Sequence, residues 1–101
     1  MKKVAYAVSR QNGTKLKGVG YLTETDLIIA CKSKNDTPYI RVFEDCVKVC
    51  SRIPTKENEY SGVYYEIHEI EVEKKNSSGQ DVGMEKIEVT VNYFIWYKFI
   101  D

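Results

Sequence analysis

The sequence predicts an all-β fold, a small antiparallel barrel or sandwich of about seven strands that ends in a long C-terminal β-hairpin. Three observations predict it. Apolar residues recur at every second position in most segments, the period of a strand with one buried face. Polar turn clusters interrupt those segments at short intervals, at Gln11-Asn12-Gly13-Thr14, Thr23-Glu24-Thr25-Asp26 and Ser33 to Pro38. Tyrosine is over-used, with eight in 101 residues, and aromatic side chains suit a pleated, half-buried surface.

The first strand covers residues 3–9, with Val4, Tyr6 and Val8 on one face. Asn12-Gly13 then predicts a tight hairpin, because both central residues of a type I′ turn need positive φ. Strand two runs from Lys15 to Leu22. Gly18 and Gly20 inside it predict a bulge, a bend or a close backbone approach. Leu27-Ile28-Ile29-Ala30-Cys31 is apolar on both faces and reads as a central strand. Tyr39 to Phe43 reads as the next strand. Cys46 to Ile53 alternates and is expected as a strand too, although a helix over 43–53 would align Phe43, Val47 and Cys50.

The last forty residues pattern as a hairpin, Tyr60–Glu73 against Glu85–Ile100, joined by the polar run Lys74 to Asp81. In its first strand Val63, Tyr65 and Ile67 share a face, then Ile70 and Val72 take the other. This switch predicts a bulge near His68-Glu69. In its second strand every odd position from Ile87 to Phe99 is apolar, while the even face turns from polar to Phe94, Trp96 and Ile100. Fourteen residues at strand rise span about 45 Å. A domain of this size has a radius of gyration of about 13 Å. The strand must therefore curl around a barrel, bend, or project as an arm.

One domain, residues 1–101, is expected from length. No stretch approaches the about 20 apolar residues of a membrane span, and Arg10 interrupts the short apolar N-terminus before a signal-peptide core could form. A cytoplasmic location is expected. Cys31, Cys46 and Cys50 are odd in number, without framework spacing, and are expected as thiols. The net charge of zero conceals an asymmetry. Residues 1–56 hold eleven Lys/Arg against five Asp/Glu, and residues 57–101 hold four against ten. The two halves either neutralise each other by pairing or present a basic and an acidic face that steers charged partners.

No catalytic group assembles in the sequence. His68 lies beside Glu66 and Glu69 but has no nucleophile near it. Cys46 and Cys50 would be about 13 Å apart on a strand, too far to share a metal, and adjacent on a helix, where two ligands still make no site. Phosphate-loop, nucleophile-elbow and dinucleotide patterns are absent. An enzyme, a metal and a cofactor are all unexpected. Lys17-Gly18-Val19-Gly20-Tyr21-Leu22-Thr23 resembles the first RNA-binding motif of cold-shock domains, five-stranded barrels that stack bases on aromatic rings. Val19 replaces a stacking aromatic there, and Leu27-Ile28-Ile29-Ala30 lacks the aromatics and histidine of the second motif. Gly18 to Ala30 is also similar to two strands of pleckstrin-type domains, which end in a helix where this chain ends in a strand. Neither resemblance assigns a family.

The expected function is a non-enzymatic protein-binding module, of the kind that acts as a stoichiometric inhibitor, for example a phage-type anti-defence protein. Tyr64, Glu66, Phe94 and Trp96 on the hairpin are its candidate contact residues. A homodimer is one form of that reading. The alternatives are a single-stranded nucleic-acid binder using Lys15, Lys17, Tyr21, Lys32, Lys34 and Arg41, and a tyrosine-lined barrel that holds a small molecule.

Overall fold

Each alternating segment of the sequence forms a strand in the computed structural model, which describes residues 1–100. The elements are β1 (Lys2–Arg10), β2 (Lys15–Leu22), β3 (Leu27–Lys32), β4 (Pro38–Phe43), α1 (Cys46–Val49), β5 (Ser51–Arg52), β6 (Glu59–Lys75) and β7 (Asp81–Phe99). They build one antiparallel sheet in the order β4-β3-β2-β1-β7-β6-β5. The fold is all-β, but the sheet is not closed into a barrel, because β4 and β5 remain edges.

Three of the tight connections share one design. Gly13, Asp36 and Gly79 have positive φ, of 96°, 58° and 78°. In each turn that residue's N–H donates to the carbonyl three residues earlier, on Arg10, Ser33 and Asn76 respectively. These are three-residue loops in which a type I turn is followed by one left-handed residue. Asn12-Gly13 therefore differs from the expected type I′ turn. Only Gly13 is left-handed, and the Asn12 side chain instead accepts the Thr14 N–H at 3.1 Å.

The inner face of the sheet carries the core: Val4, Tyr6 and Val8 from β1, and Tyr93, Ile95 and Tyr97 from β7. β2 pairs with β3 only at Tyr21–Ile28 and Leu22–Leu27. Beyond those pairs the β3–β4 hairpin swings across the inner face and adds Leu27, Ile29, Cys31 and Phe43 to the core. Phe43 meets Tyr64 and Tyr93 edge-on, each with ring centroids 5.5 Å away. Gly20 makes this turn feasible, since a Cβ there would lie 2.7 Å from the Ile28 carbonyl oxygen. Of the three roles considered for the β2 glycines, close backbone approach is the one observed at Gly20, while Gly18 faces only the Tyr6 side chain.

Residues 46–53, expected as a strand, form one helical turn and a two-residue bridge. Tertiary contacts override the valine pattern. Asp45 adopts φ 58°, its N–H donates to the Asp26 carboxylate, and the Val47 N–H donates to the Thr25 carbonyl. The turn lays the fully buried Cys46 over the core. It rests on β6 at Gly62, where a Cβ would lie 2.1 Å from the Val49 carbonyl oxygen.

The expected bulge near His68-Glu69 is absent. β6 and β7 pair in unbroken register from Glu59–Lys98 to Lys74–Gly83, and the register shifts only between Lys74 and Lys75. The apolar phase switches because, beyond Glu66, no core lies against either face of the ribbon. Apolar side chains there sit on both sides with no pleat to re-aim. Of the three solutions for the long strand, projection is the one adopted. The radius of gyration is 17.6 Å and the extents are 59 × 32 × 23 Å, well beyond the about 13 Å expected of a compact domain of this length.

Candidate functional site

The hairpin β6–β7 has two parts. Its base pairs with β1 through residues 93–99 of β7 and is part of the core sheet. Beyond Tyr93 the two strands continue as a free two-stranded arm. Such a ribbon is marginal in water without a third strand or a packed face.

Register assigns each side chain to a face. Residues 62, 64, 66 and 68 of β6 lie opposite 95, 93, 91 and 89 of β7 on the inner side. Residues 61, 63, 65 and 67 lie opposite 96, 94, 92 and 90 on the outer side. The four candidate contact residues are thereby divided. Tyr64 and Glu66 face inward, and Phe94 and Trp96 face outward, so they do not form one patch.

The inward pair sits in a polar knot above the core. Glu66 accepts a hydrogen bond from the Arg41 guanidinium of β4 and lies 3.2 Å from His68 Nε2. Arg41 also donates to the Val42 carbonyl and lies 4.3 Å over the Phe43 ring. Partial burial pushes the Glu66 carboxyl up, but the bonds from Arg41 and His68 and the Arg41 charge outweigh it and hold the group below its ordinary value. Burial likewise opposes the Arg41 charge, and its bond to Glu66 more than offsets this. Burial raises the Tyr64 hydroxyl. These groups bind β4 to β6 where the sheet has no backbone ladder, a structural role.

The outward pair belongs to an apolar field. Phe94 is 56% exposed, and Trp96 is half-buried beside it over Ala7 and Ser61. A hollow of about 300 Å³ opens there, lined by Ala7, Ser9, Ser61, Val63, Phe94 and Trp96. Val63, Tyr65 and Ile67 continue the field along β6, at 51%, 65% and 61% exposure. Val63, Tyr65 and Ile67 were not among the sequence candidates. They emerge from the hairpin register, which depends on an irregularity near its tip. The loop is centred on Ser78 and by itself would put Phe94 opposite Gly62; the register shift between Lys74 and Lys75 is what places Val63 opposite Phe94.

The six basic-side candidates are divided too. Lys15, Lys17 and Tyr21 pair with Ser9, Ala7 and Lys3 on the outer face. Lys32 and Arg41 line a separate cleft of about 300 Å³ with Arg10, Tyr39 and Tyr93. Lys34 is exposed in the β3–β4 turn. Arg41 is engaged with Glu66. The inner concavity is filled by Tyr6, Phe43, Tyr93 and Tyr97.

Most of the basic half lies away from the acidic arm, the exceptions being β5, which pairs with β6, and Lys56, 3.7 Å from Glu59. β1 to β4 form one side of the sheet and β6–β7 the other. Arg41–Glu66 is the ion pair that ties β4 to the acidic arm. On the arm, Glu69 and Glu88 stand directly opposite each other, an unfavourable like-charge pair.

Cys46 and Cys50 approach to 4.0 Å between sulfurs, and among the described residues no third His, Cys, Asp or Glu joins them as a metal site. The Cys50 hydrogen bond and burial push the Cys46 thiol far up, while the bond from Cys46 lowers the Cys50 thiol against the effect of burial. No helix among the described residues is long and apolar enough to cross a membrane. No protein-family model matches the chain, and comparisons with curated proteins and with solved structures give no match either.

Proposed function

We propose that this chain is a non-enzymatic protein-binding module whose working surface is the outer face of the β6–β7 hairpin. One observation carries the reading. Val63, Tyr65, Ile67 and Phe94 are each more than half exposed on one face of a ribbon that has no layer of its own to cover them. Isolated exposed apolar residues need no explanation, but a contiguous run with aromatic anchors is the composition of an interface. The arm also offers two unpaired strand edges, β7 beyond β1 and β6 beyond β5, as templates for strand addition. A projecting arm that binds without chemistry suits stoichiometric inhibition, in which it occludes a groove on its target.

Affinity capture from host extract tests the proposal, with wild-type protein and the Tyr65→Ser/Phe94→Ser double variant side by side. Both side chains are solvent-facing, so the variant keeps the wild-type circular dichroism. The expected result is a partner held by the wild type and lost by the variant. A variant that holds everything the wild type holds, or a wild type that holds neither another protein nor a second copy of itself, sinks the reading.

A further inference from the structure

The outer face carries three zones in line. Lys15 and Lys17 of β2 stand in the same rows as Phe94 and Trp96, through Ser9 and Ala7 of β1. The apolar field follows, ending with Tyr65 beside Asn92 and Ile67 beside Thr90. The acidic zone comes last, with Glu69 beside Glu88 and Glu71 beside Lys86. Neither Lys15 nor Lys17 forms an ion pair among the described residues, and neither do Glu71 and Glu88.

We infer that the partner covering this face is a second copy of the same chain, related by a two-fold axis that crosses the arm between Tyr65 and Ile67. The inference rests on the protein-binding reading of the outer face and names its occupant. The rows themselves place the axis. Lys17 lies in the row of Trp96, and Glu71 lies in the row of Lys86. Val91 is midway between them on β7, and Tyr65 and Ile67 flank that point. A two-fold rotation there lays Tyr65 of one copy on Ile67 of the other. The same rotation brings Lys15 toward the Glu69–Glu88 row and Lys17 toward Glu71, twice over by symmetry.

β2 lies three strands, about 14 Å, from β6, and the charged rows lie about 16 Å from the axis, so tilting the axis to bring β2 of one copy onto β6 of the other gives a crossing of about 40°, near the about 30° at which sheets pack face to face. The basic side then relieves the Glu69–Glu88 repulsion, and the opposed charges of the two halves cancel between copies. Such a pairing needs about 800 Å² per partner, less than half the rectangle set by the 59 and 32 Å extents.

Charge swapping tests this geometry. Wild-type chain is run by light scattering and sedimentation at about 100 µM, well above the micromolar Kd of a modest interface. The expected mass is twice 11.7 kDa. Lys15→Glu/Lys17→Glu and Glu69→Lys/Glu71→Lys each weaken association by about tenfold or more, since several exposed pairs become like-charged at once. Mixing the two variants restores a heterodimer, because each now meets its complement. Ile67→Glu, beside the axis, separates the copies, and about 1 M salt, with a Debye length of roughly 3 Å, weakens them.

A monomeric wild type at that concentration overturns the inference. So does a dimer indifferent to both charge sets, or one whose variants fail to rescue each other. A monomer that still loses a captured heterologous partner on Tyr65→Ser/Phe94→Ser ends the two-fold pairing and leaves the protein-binding reading standing.

Discussion

Replacing Gly62 by alanine tests the most unusual contact in the core. The segment 46–50 lies flat on β6 at this residue. An added Cβ would stand 2.1 Å from the Val49 carbonyl oxygen, 2.8 Å from its carbon and 3.0 Å from the Cys50 Cα. A carbon and a carbonyl oxygen normally approach to no less than about 3.3 Å, so backbone must retreat by about 1 Å. No side-chain rotation relieves the clash, because all three obstacles are main chain. Over-packing alone costs about 1–3 kcal/mol. Retreat of the segment also lifts Cys46, which is fully buried, and loosens Val47 and Cys50 from the core. Against this stands a gain of about 0.4–1 kcal/mol from restricting the unfolded chain. The expected loss is about 3 kcal/mol, a fall of roughly a hundredfold in the folded-to-unfolded ratio. Gly18→Ala is the matched control. Its Cβ would meet only the Tyr6 ring and hydroxyl, at 3.3 to 3.5 Å, and a side chain can shift by that much. Gly18→Ala should change stability by less than about 1 kcal/mol. Urea unfolding followed by Tyr and Trp fluorescence measures both. If Gly62→Ala is as stable as the wild type, or if the two variants lose equally, the close packing of 46–50 on β6 is refuted.

Three further outcomes follow from the same geometry. Glu66 is held below its ordinary value of 4.5 in the folded protein. Its contribution is therefore complete above that value and lost as pH falls through the lower folded one. Urea midpoints of wild type and Glu66→Gln, about 1 kcal/mol apart at neutral pH because both partners remain partly wet, should converge as pH drops from about 5 toward 3; parallel lines would show that the Arg41 pair contributes nothing. Thiol labelling of the native protein should modify Cys50 before Cys46, since Cys50 is lowered and only half-buried while Cys46 is raised and enclosed; equal rates, read by peptide mass, would contradict the placement of 46–50. Deleting residues 68–89 and closing Ile67 to its partner Thr90 with Asn-Gly keeps the register and removes no core residue, so the shortened chain should unfold within about 1 kcal/mol of wild type. A molten product would mean that the arm supports the core.

The strands were legible because each has one face against the core, and burial writes a period of two into β1, β6 and β7 directly. Cys46 to Ile53 was misread for the opposite reason. Its valines favour a strand, but its conformation is set by Asp26 and Thr25, some twenty residues away, and no local pattern records such a partner. The bulge was misread because a phase switch forces a bulge only where both halves of a strand must bury the same face. Beyond Glu66 the arm buries neither. The candidate site was half legible. Phe94 and Trp96 stood out as apolar residues on a polar phase, whereas Tyr65 and Ile67 looked like ordinary core alternation. They could be told apart only once the hairpin register had been fixed.

The same register gives the charge asymmetry its physical meaning. Had the acidic strands paired beside the basic ones, opposite charges would meet across the ladder and cancel within the molecule. The strand order prevents this. β1 of the basic half pairs with β7 only through residues 93–99, and that stretch carries a single charged residue, Lys98. Apart from Glu59, which stands opposite Lys98, the strand glutamates begin farther out, on the arm, where the cross-strand partners are other arm residues. One of those pairs is Glu69 with Glu88. Between residues 68 and 88 six Asp/Glu stand against three lysines, Lys74, Lys75 and Lys86, of which Lys86 lies 3.4 Å from Glu69, while Lys15 and Lys17 hold the opposite sign on the same face. A neutral chain arranged in this way has little net field to keep copies apart and a strong directional preference once they meet.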